Sequence, residues 1–318
     1  MTEAYLSKMP KRTTGAVITA AGKSDGVDFI SPLTQLGKIS IIKRMILMLQ
    51  SVHVFPIVVV TGYQYVDLEA HLANYGVVFV RNEDYVEDYS QFKSLQLGFE
   101  FLKDKCDNVL FTPVMIPMLK ADTLTKMMAQ EKDIVVPTFD GKEGNPVLVS
   151  QEVMKRMIEY PDRDSAYEGI REQGYEVTHL DVDDEGILPT KESIEHLDQL
   201  LEEHNAQLLH PFVKINIERE NVLLDGRAKM LLLLIEETNS VQAACKQIAM
   251  SKAKAWDVIN NMEKSLGFTV VSRRQGGSRG GKTELTEKGK EFLNTFMEYE
   301  LLVRKFAQEQ FRVMFDLD

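Results

Sequence analysis

A chain of 318 residues is more than one compact core usually holds, and its 44% apolar and 27% charged residues are those of an ordinary globular protein. No apolar run approaches the ~20 residues that span a bilayer, no signal-type block follows Lys8, Lys11 and Arg12, and Cys106 and Cys245 have no metal-ligand spacing, so a reduced, cytoplasmic protein without a membrane partner is expected. The net charge of −11 would exclude a nucleic-acid partner if it were even, but residues 1–210 hold 20 basic and 33 acidic side chains while Lys246–Lys282 holds 8 basic and 2 acidic, the footprint of phosphate contact.

The first two-thirds alternates strand and helix. Ala16–Ala20 is an apolar strand running into Ala21-Gly22, and Ile39–Leu49 has helical periodicity. Pro56–Thr61 is a strand ending at Gly62, and Tyr65–Asn74 is helical. Val77–Val80, Asn108–Phe111 and Asp133–Pro137 are further strands, with helices at Ser90–Leu102 and Ala121–Gln130. Continuous apolar strands separated by helical spacers predict an α/β fold, a doubly wound and mostly parallel sheet covered on both faces. Ligands of such sheets bind beyond the carboxyl ends of the strands, and Gly22, Gly62 and Pro113 stand at three of those ends. The polar segment Glu202–Pro211 marks a boundary, giving domains over 1–205 and 212–318.

The second domain has a different pattern. Leu223–Glu237 reads as a helix. Asn239-Ser240 stops and restarts the chain, with Ser240 as N-cap and Val241, Ala244, Cys245 and Ile248 at i, i+3, i+4 and i+7. Ala249-Met250 is a short turn, and Ser251 caps a second helix that buries Ala255, Val258, Ile259, Met262 and Leu266. Lys252, Lys254, Asp257, Asn260, Asn261 and Lys264 point the other way, and Trp256 is expected to pack on the preceding helix rather than stack on a base. Two short helices with a tight turn, the second presenting Lys and Asn outward, make a helix-turn-helix. Phe268–Ser272 is a strand, Arg273 and Arg274 open a hairpin tip, and Thr283–Leu285 returns. Gly276, Gly277, Gly280 and Gly281 let that tip approach a phosphate backbone, to which Arg273, Arg274, Arg279 and Lys282 bring charge. Thr286 caps a long helix in which Phe292, Phe296, Tyr299, Val303, Phe306 and Gln310 alternate spacings of four and three, a heptad seam suited to a homodimer on two DNA half-sites.

These residues resemble a known family. The stretch from Asn239 to Leu293, above all Ala255-Trp256-Asp257, the Val271-Ser272-Arg273 wing with its paired glycines, and Leu285-Thr286 with Gly289, resembles the winged helix-turn-helix of the ModE-type molybdate-responsive regulators, related to the LysR-type N-terminal domain. The resemblance implies double-stranded DNA as partner, with Ser251, Lys252 and Lys254 toward the major groove and the wing on the adjacent backbone; Asn261, on the outward face of the same helix, is a further DNA-binding candidate. The family's C-terminal molybdate-binding module is not matched, so any sensing would fall to the first domain.

The first domain resembles the MobA-like molybdenum-cofactor nucleotidyltransferases. Thr19-Ala20-Ala21-Gly22-Lys23-Ser24 is similar to that family's first loop, where small residues let backbone N–H groups face phosphates. Gly62, Gly144-Asn145-Pro146-Val147-Leu148 and Asp183–Leu188 extend the match. The resemblance implies a ligand site at Ala21, Gly22, Lys23, Ser24 and Gly62, with Asn145 and Pro146 closing the acceptor side. The catalytic residues depart from the family's pattern. Its phosphate lysine falls on Ser31, one metal-binding Asp on Met115 and the other near Thr190, so no catalytic residue and no metal ligand is assigned. A small shift in alignment would leave Asp25, Asp28, Asp183 or Asp184 as replacement carboxylates. The expectation is a DNA-binding transcriptional regulator whose degenerate first domain senses a nucleotide or molybdopterin-type effector. The alternatives are an active Mg²⁺-dependent nucleotidyltransferase of the molybdenum cofactor cytidylyltransferase type, and a scaffold with no ligand.

Overall fold

The computed structural model describes residues 13–22, 31–85, 91–161, 165–172, 174–188, 201–202, 204–206, 208–209, 211, 213–274 and 282–315. The expectations placed on Lys23, Ser24, Asp25, Asp28, Thr190, Arg279 and the hairpin-tip glycines lie outside the described residues. The chain divides into two compact units, residues 1–68 with 80–208 and residues 69–79 with 209–318.

One sheet organises the first unit. β1 (Thr14–Ala20) leads to a hairpin of β2 (Gln35–Leu36) and β3 (Ile39–Ser40), then to α1 (Ile41–Ser51). The alternation continues through β4 (Ile57–Thr61), α2 (Tyr65–Leu72), β5 (Val78–Arg81), α3 (Gln91–Leu102), β6 (Asn108–Pro113) and α4 (Ala121–Met128). β7 (Ile134–Phe139), β8 (Lys142–Glu143), β9 (Val147–Ser150), α5 (Gln151–Glu159), α6 (Ala166–Arg171) and β10 (Val177–Asp181) follow, and a 3-10 turn covers Glu185–Ile187. The strand order is β10-β7-β9-β6-β1-β4-β5, with β8 paired to β7. β1 runs parallel to β4 and β6, and β10 parallel to β7, while β9 is inserted antiparallel between β6 and β7. Val58, Val59 and Val60 are all fully buried, as are Val109, Leu110 and Phe111. Consecutive strand residues face opposite sides, so such runs require cover on both faces of the sheet.

One boundary differs from the sequence reading. Ile39 and Ser40 belong to the β2–β3 hairpin, pairing with Leu36 and Gln35, and the helix begins only at Ile41. Ser40 ends the strand and caps the helix, its Oγ accepting the Lys43 N–H at 3.4 Å.

In the second unit β11 (Ile217–Glu218) and β12 (Val222–Leu224) form an antiparallel pair, followed by α7 (Gly226–Thr238), α8 (Val241–Gln247) and α9 (Lys252–Leu266). β13 (Val271–Arg274) and β14 (Lys282–Leu285) make a second antiparallel pair, and α10 (Glu287–Met314) closes the unit. The helix expected at Leu223 therefore starts later: Leu223 and Leu224 are strand, and Asp225 caps α7 by accepting the Ala228 N–H at 2.8 Å. Leu231, Leu232, Leu234 and Ile235 of α7 meet Val241, Ala244, Cys245, Ala255, Ile259 and Met262 in one buried core. On α10 Gly289, Leu293, Phe296 and Glu300 are buried, while Tyr299 and Phe306 of the expected seam are 50% and 55% exposed. Among the described residues no helix is long and apolar enough to cross a membrane.

Candidate ligand edge and candidate nucleic-acid interface

Strand register fixes what meets at the ligand edge of the first unit. Ala20 is level with Thr61, Thr19 with Pro113, and Phe111 with Val147. Gly22, Gly62, Val114 and the Asn145-Pro146 turn therefore line one edge, the carboxyl end of the parallel strands. Ala21 and Gly62 are in direct contact: Ala21 O accepts the Tyr63 N–H at 2.8 Å, and a Cβ on Gly62 would stand 2.6 Å from Ala21 O. A side chain at Gly62 would force the two strand ends apart. Beside them lies a shallow hollow between Gly22, Ser31, Pro32, Leu33, Tyr63 and Gln64. Ala21 and Gly62 are thus in contact, and Gly22 borders the hollow beside them.

Asn145 and Pro146 do not line that hollow. They stand two strands away, about 10 Å at the usual strand spacing. There the backbone is clamped to the 3-10 turn: Asn145 N–H donates to Ile187 O at 2.7 Å, and a Cβ on Gly144 would lie 2.6 Å from the same oxygen. Tyr63, Gln64, Pro32 and Leu33 were missed in the sequence, since nothing in their spacing marks them.

Of the replacement carboxylates, Asp183 and Asp184 are among the described residues. Asp184 is buried and fully engaged: Oδ2 accepts the Lys120 N–H at 2.9 Å and the Thr123 hydroxyl at 2.7 Å, and Oδ1 accepts the Gly186 N–H at 3.0 Å. Burial pushes its pKa up, partly offset by those donors. It ties the start of α4 to the 3-10 turn, which is a structural task. Met115 is half-buried, and among the described residues no three His, Cys, Asp or Glu side chains come together. Mg²⁺ takes oxygen ligands in near-octahedral geometry, and the residues described at this edge do not fit it.

A second feature escaped sequence reading. Arg44 of α1 is fully buried, and its guanidinium donates to Leu36 O at 2.8 Å, Asn205 Oδ1 at 2.7 Å and His204 Nδ1 at 3.2 Å. Burial lowers its pKa. A guanidinium only donates, so His204 must accept at Nδ1 and carry its proton on Nε2, which reaches Leu119 O at 2.9 Å. The polar segment read as a boundary is thus fastened, through His204 and Asn205, into the first unit.

The basic face of the second unit is built on α9. Arg227 reaches Ile248 O and Ala249 O at 3.4 and 3.3 Å and so fixes the turn between α8 and α9, where Ala249 has φ 46°. Ser251 is the N-cap, its Oγ accepting the Lys254 N–H at 3.2 Å. Lys252, Lys254, Asn260 and Asn261 are exposed, as the periodicity predicted. On the hairpin Arg274 pairs by backbone with Lys282, and the Lys282 ammonium lies 2.5 Å from Glu284 Oε1, a surface contact that leaves the charge largely available. Arg273 is not free: its guanidinium carbon stands 4.1 Å above the half-buried Trp256 ring and its NH2 donates to Asn260 Oδ1 at 2.9 Å.

Comparisons with known proteins fall into two sets. A family model described as a MobA-like NTP transferase domain matches residues 16–177, half of the 318 residues. A nucleotidyl transferase from Methanothermobacter thermautotroptrophicus superposes with a TM-score of 0.51 at 17% identity, over 60% of this chain and 99% of that one. Rv0371c of Mycobacterium tuberculosis H37Rv gives 0.50 at 16%, over 60% and 99%. At such identities the likeness concerns the fold alone. Among curated proteins, the DNA-binding transcriptional dual regulator ModE of Escherichia coli K12 is 31% identical over 100 residues, 31% of this chain and 37% of its own. The molybdenum-pterin-binding protein MopB of Rhodobacter capsulatus is 30% identical over 89 residues, 28% of this chain and 33% of its own. The chain spans about a third of the length of these relatives.

Proposed function

The chain belongs to the MobA-like NTP transferase family, and from that premise we propose a DNA-binding transcriptional regulator whose family domain senses a ligand instead of transferring a nucleotide. The observation that carries the reading is the exposed Lys252, Lys254 and Asn261 face of α9, held by the Arg227 clamp and the Ser251 cap beside a basic hairpin. We read this as a winged helix-turn-helix over residues 212–318. Ser251, Lys252, Lys254 and Asn261 meet base edges and nearby phosphates in the major groove, and Arg274, Arg279 and Lys282 meet the flanking backbone, with Arg273 at the junction. The similarity to ModE proteins supports this, as does the concentration of basic residues at Lys246–Lys282. Of the heptad seam Phe292, Phe296, Tyr299, Val303, Phe306 and Gln310, Tyr299 and Phe306 leave apolar surface on α10, which we read as part of a homodimer contact on two half-sites.

In the family domain, which we bound at residues 1–205, Ala21, Gly22, Lys23, Ser24 and Gly62 hold the phosphates of a nucleotide or molybdopterin-type effector, with Asn145 and Pro146 on its far side. The protein works in the cytoplasm, in molybdenum-cofactor or nucleotide metabolism. Met115 and the fully engaged Asp184 favour sensing over metal-dependent transfer. Arg44 bonds to Leu36, just after the hollow, and to His204 and Asn205, just before the second unit begins at Leu209. The deciding experiment is fluorescence anisotropy of the full chain with duplex DNA at ~50 and ~200 mM salt, where about six phosphate contacts predict a loss on the order of a thousandfold. A flat salt response refutes the DNA reading. Pyrophosphate release from CTP or GTP with Mg²⁺, lost on substitution of Gly22, would replace the sensor with the enzyme.

A further inference from the structure

Helix α9 carries a third stripe beside its buried and basic ones. Trp256, Asn260 and Glu263 stand at i, i+4 and i+7, on one face. Each receives part of the entering hairpin. Glu263 Oε1 accepts the N–H groups of Val270 and Val271 at 2.7 and 3.0 Å, Asn260 Oδ1 accepts from Arg273, and the Trp256 ring lies under the Arg273 guanidinium. Val271 and Arg273 are two apart on β13 and so share a face, the one on which Val271 is buried. Arg273 therefore continues the core-facing side of the strand outward over α9, one flat face on indole and one edge on Asn260.

We propose that Arg273 is a positioning residue that sets the angle between the hairpin and α9, and that Trp256 and Asn260 are its seat and not DNA contacts. The inference rests on the DNA reading above. A planar, forked guanidinium suits this seat, and the ammonium of lysine supplies neither the stack nor the fork. Residues so placed change which duplex fits without displacing counterions themselves.

The full chain is tested on a preferred duplex, selected from a random pool, and on a scrambled one, across a salt series. Arg279→Ala, removing a phosphate contact, lowers the log–log salt slope by about 0.9. Arg273→Ala leaves the slope unchanged and weakens the preferred duplex about threefold to tenfold more than the scrambled one. Arg273→Lys does not restore it, and Trp256→Ala combined with Arg273→Ala is no worse than either alone, because both break the same contact. A slope reduced by about 0.9 in Arg273→Ala with equal loss on both duplexes, or additive effects of the two substitutions, overturns the proposal. One readout is independent of DNA. The chain has a single tryptophan, so loss of the guanidinium from its ring shifts the emission of the free protein, and a circular dichroism melt confirms that the variant is folded. An emission shift with no duplex bound by the wild type refutes the DNA reading and the positioning role with it, and leaves only the seat. No emission shift, with DNA binding intact, refutes the seat and the proposal while sparing the DNA reading.

Discussion

Replacing Lys229 by methionine is expected to destabilise the second unit by about 2–4 kcal/mol. Lys229 on α7 and Glu300 on α10 form an ion pair at 2.5 Å with side chains only 11% and 9% exposed, and Glu300 also accepts from Arg304 at 2.8 Å. Burial by itself would raise the Glu300 pKa, but Lys229 first and Arg304 second outweigh it and hold the carboxyl below its ordinary value. Removing one partner of a buried pair costs about 3–5 kcal/mol because the other charge stays buried. The retained Arg304, about a third exposed, keeps the loss toward the lower end. Methionine preserves the stem packing, so the loss reports charge. Urea unfolding of the full chain followed by Trp256 emission is the assay, since the sole tryptophan lies in the second unit. The pH dependence supplies a sign. A carboxyl whose folded pKa is depressed stabilises above its ordinary value of 4.5 and loses that contribution as pH falls through the folded value. The wild-type advantage over Lys229→Met should therefore shrink below about pH 4.5. A difference under ~0.5 kcal/mol at neutral pH, or one that grows in acid, would refute the reasoning. Lys229→Met with Glu300→Leu should recover most of the loss.

Gly62→Ala brings a methyl to 2.6 Å from Ala21 O; it should cost roughly 1–3 kcal/mol in a thermal melt and weaken any nucleotide binding seen by calorimetry with CTP. Asp184→Ala removes the carboxylate that accepts from the Lys120 and Gly186 N–H groups and the Thr123 hydroxyl, so far-ultraviolet circular dichroism in urea should register a loss of about 2–4 kcal/mol. Arg44→Met exchanges a buried cation for an apolar side chain but takes the donor away from Leu36 O, Asn205 Oδ1 and His204 Nδ1, so it should cost about 1–3 kcal/mol; limited proteolysis should then cut the Glu202–Pro211 segment about tenfold faster. Unchanged cutting would mean that the segment is held by something other than Arg44.

Much of the fold was legible because apolar runs in this chain are strong and separated by clear breaks. β1, β4, β6 and β7 fall within about two residues of where Ala16–Ala20, Pro56–Thr61, Asn108–Phe111 and Asp133–Pro137 placed them. The strand expected over Phe268–Ser272 instead starts at Val271 and takes in Arg273 and Arg274, which were read as hairpin tip; two other boundary errors share a cause. At Ile39 and at Leu223 helical periodicity runs backward across the cap, because two branched apolar residues fit a strand end and a helix start equally well. The caps, Ser40 and Asp225, were the discriminating signals, each an oxygen three residues before the N–H it accepts. The ligand edge was half legible: a glycine at a strand end suggests close approach, but the antiparallel insertion of β9, which fixes where Asn145 stands, comes from pairing between distant segments. Arg44 was not legible at all, since its partners lie up to 161 residues away and a cation in an amphipathic helix reads as surface.

Helix α9 makes the remaining limit concrete. A binary reading sorts its residues into apolar, facing the core, and polar, facing water, and that placed Ala255, Val258, Ile259, Met262 and Leu266 inside, of which Val258 and Leu266 are only half-buried, and Lys254, Asp257 and Asn261 outside. Asn260 and Glu263 satisfy the same rule and yet bind the hairpin, because a strand leaving a helix presents backbone N–H groups that must be satisfied. Glu263 answers Val270 and Val271, and Asn260 answers the next side chain on that face. The needed cue was the conjunction of two periods: acceptors at i and i+3 near a helix end, followed after a short turn by a strand whose alternate residues are apolar and then basic. Charge counting sees Arg273 only as a cation; phase matching between helix and strand adds that it lies over Trp256 and donates to Asn260.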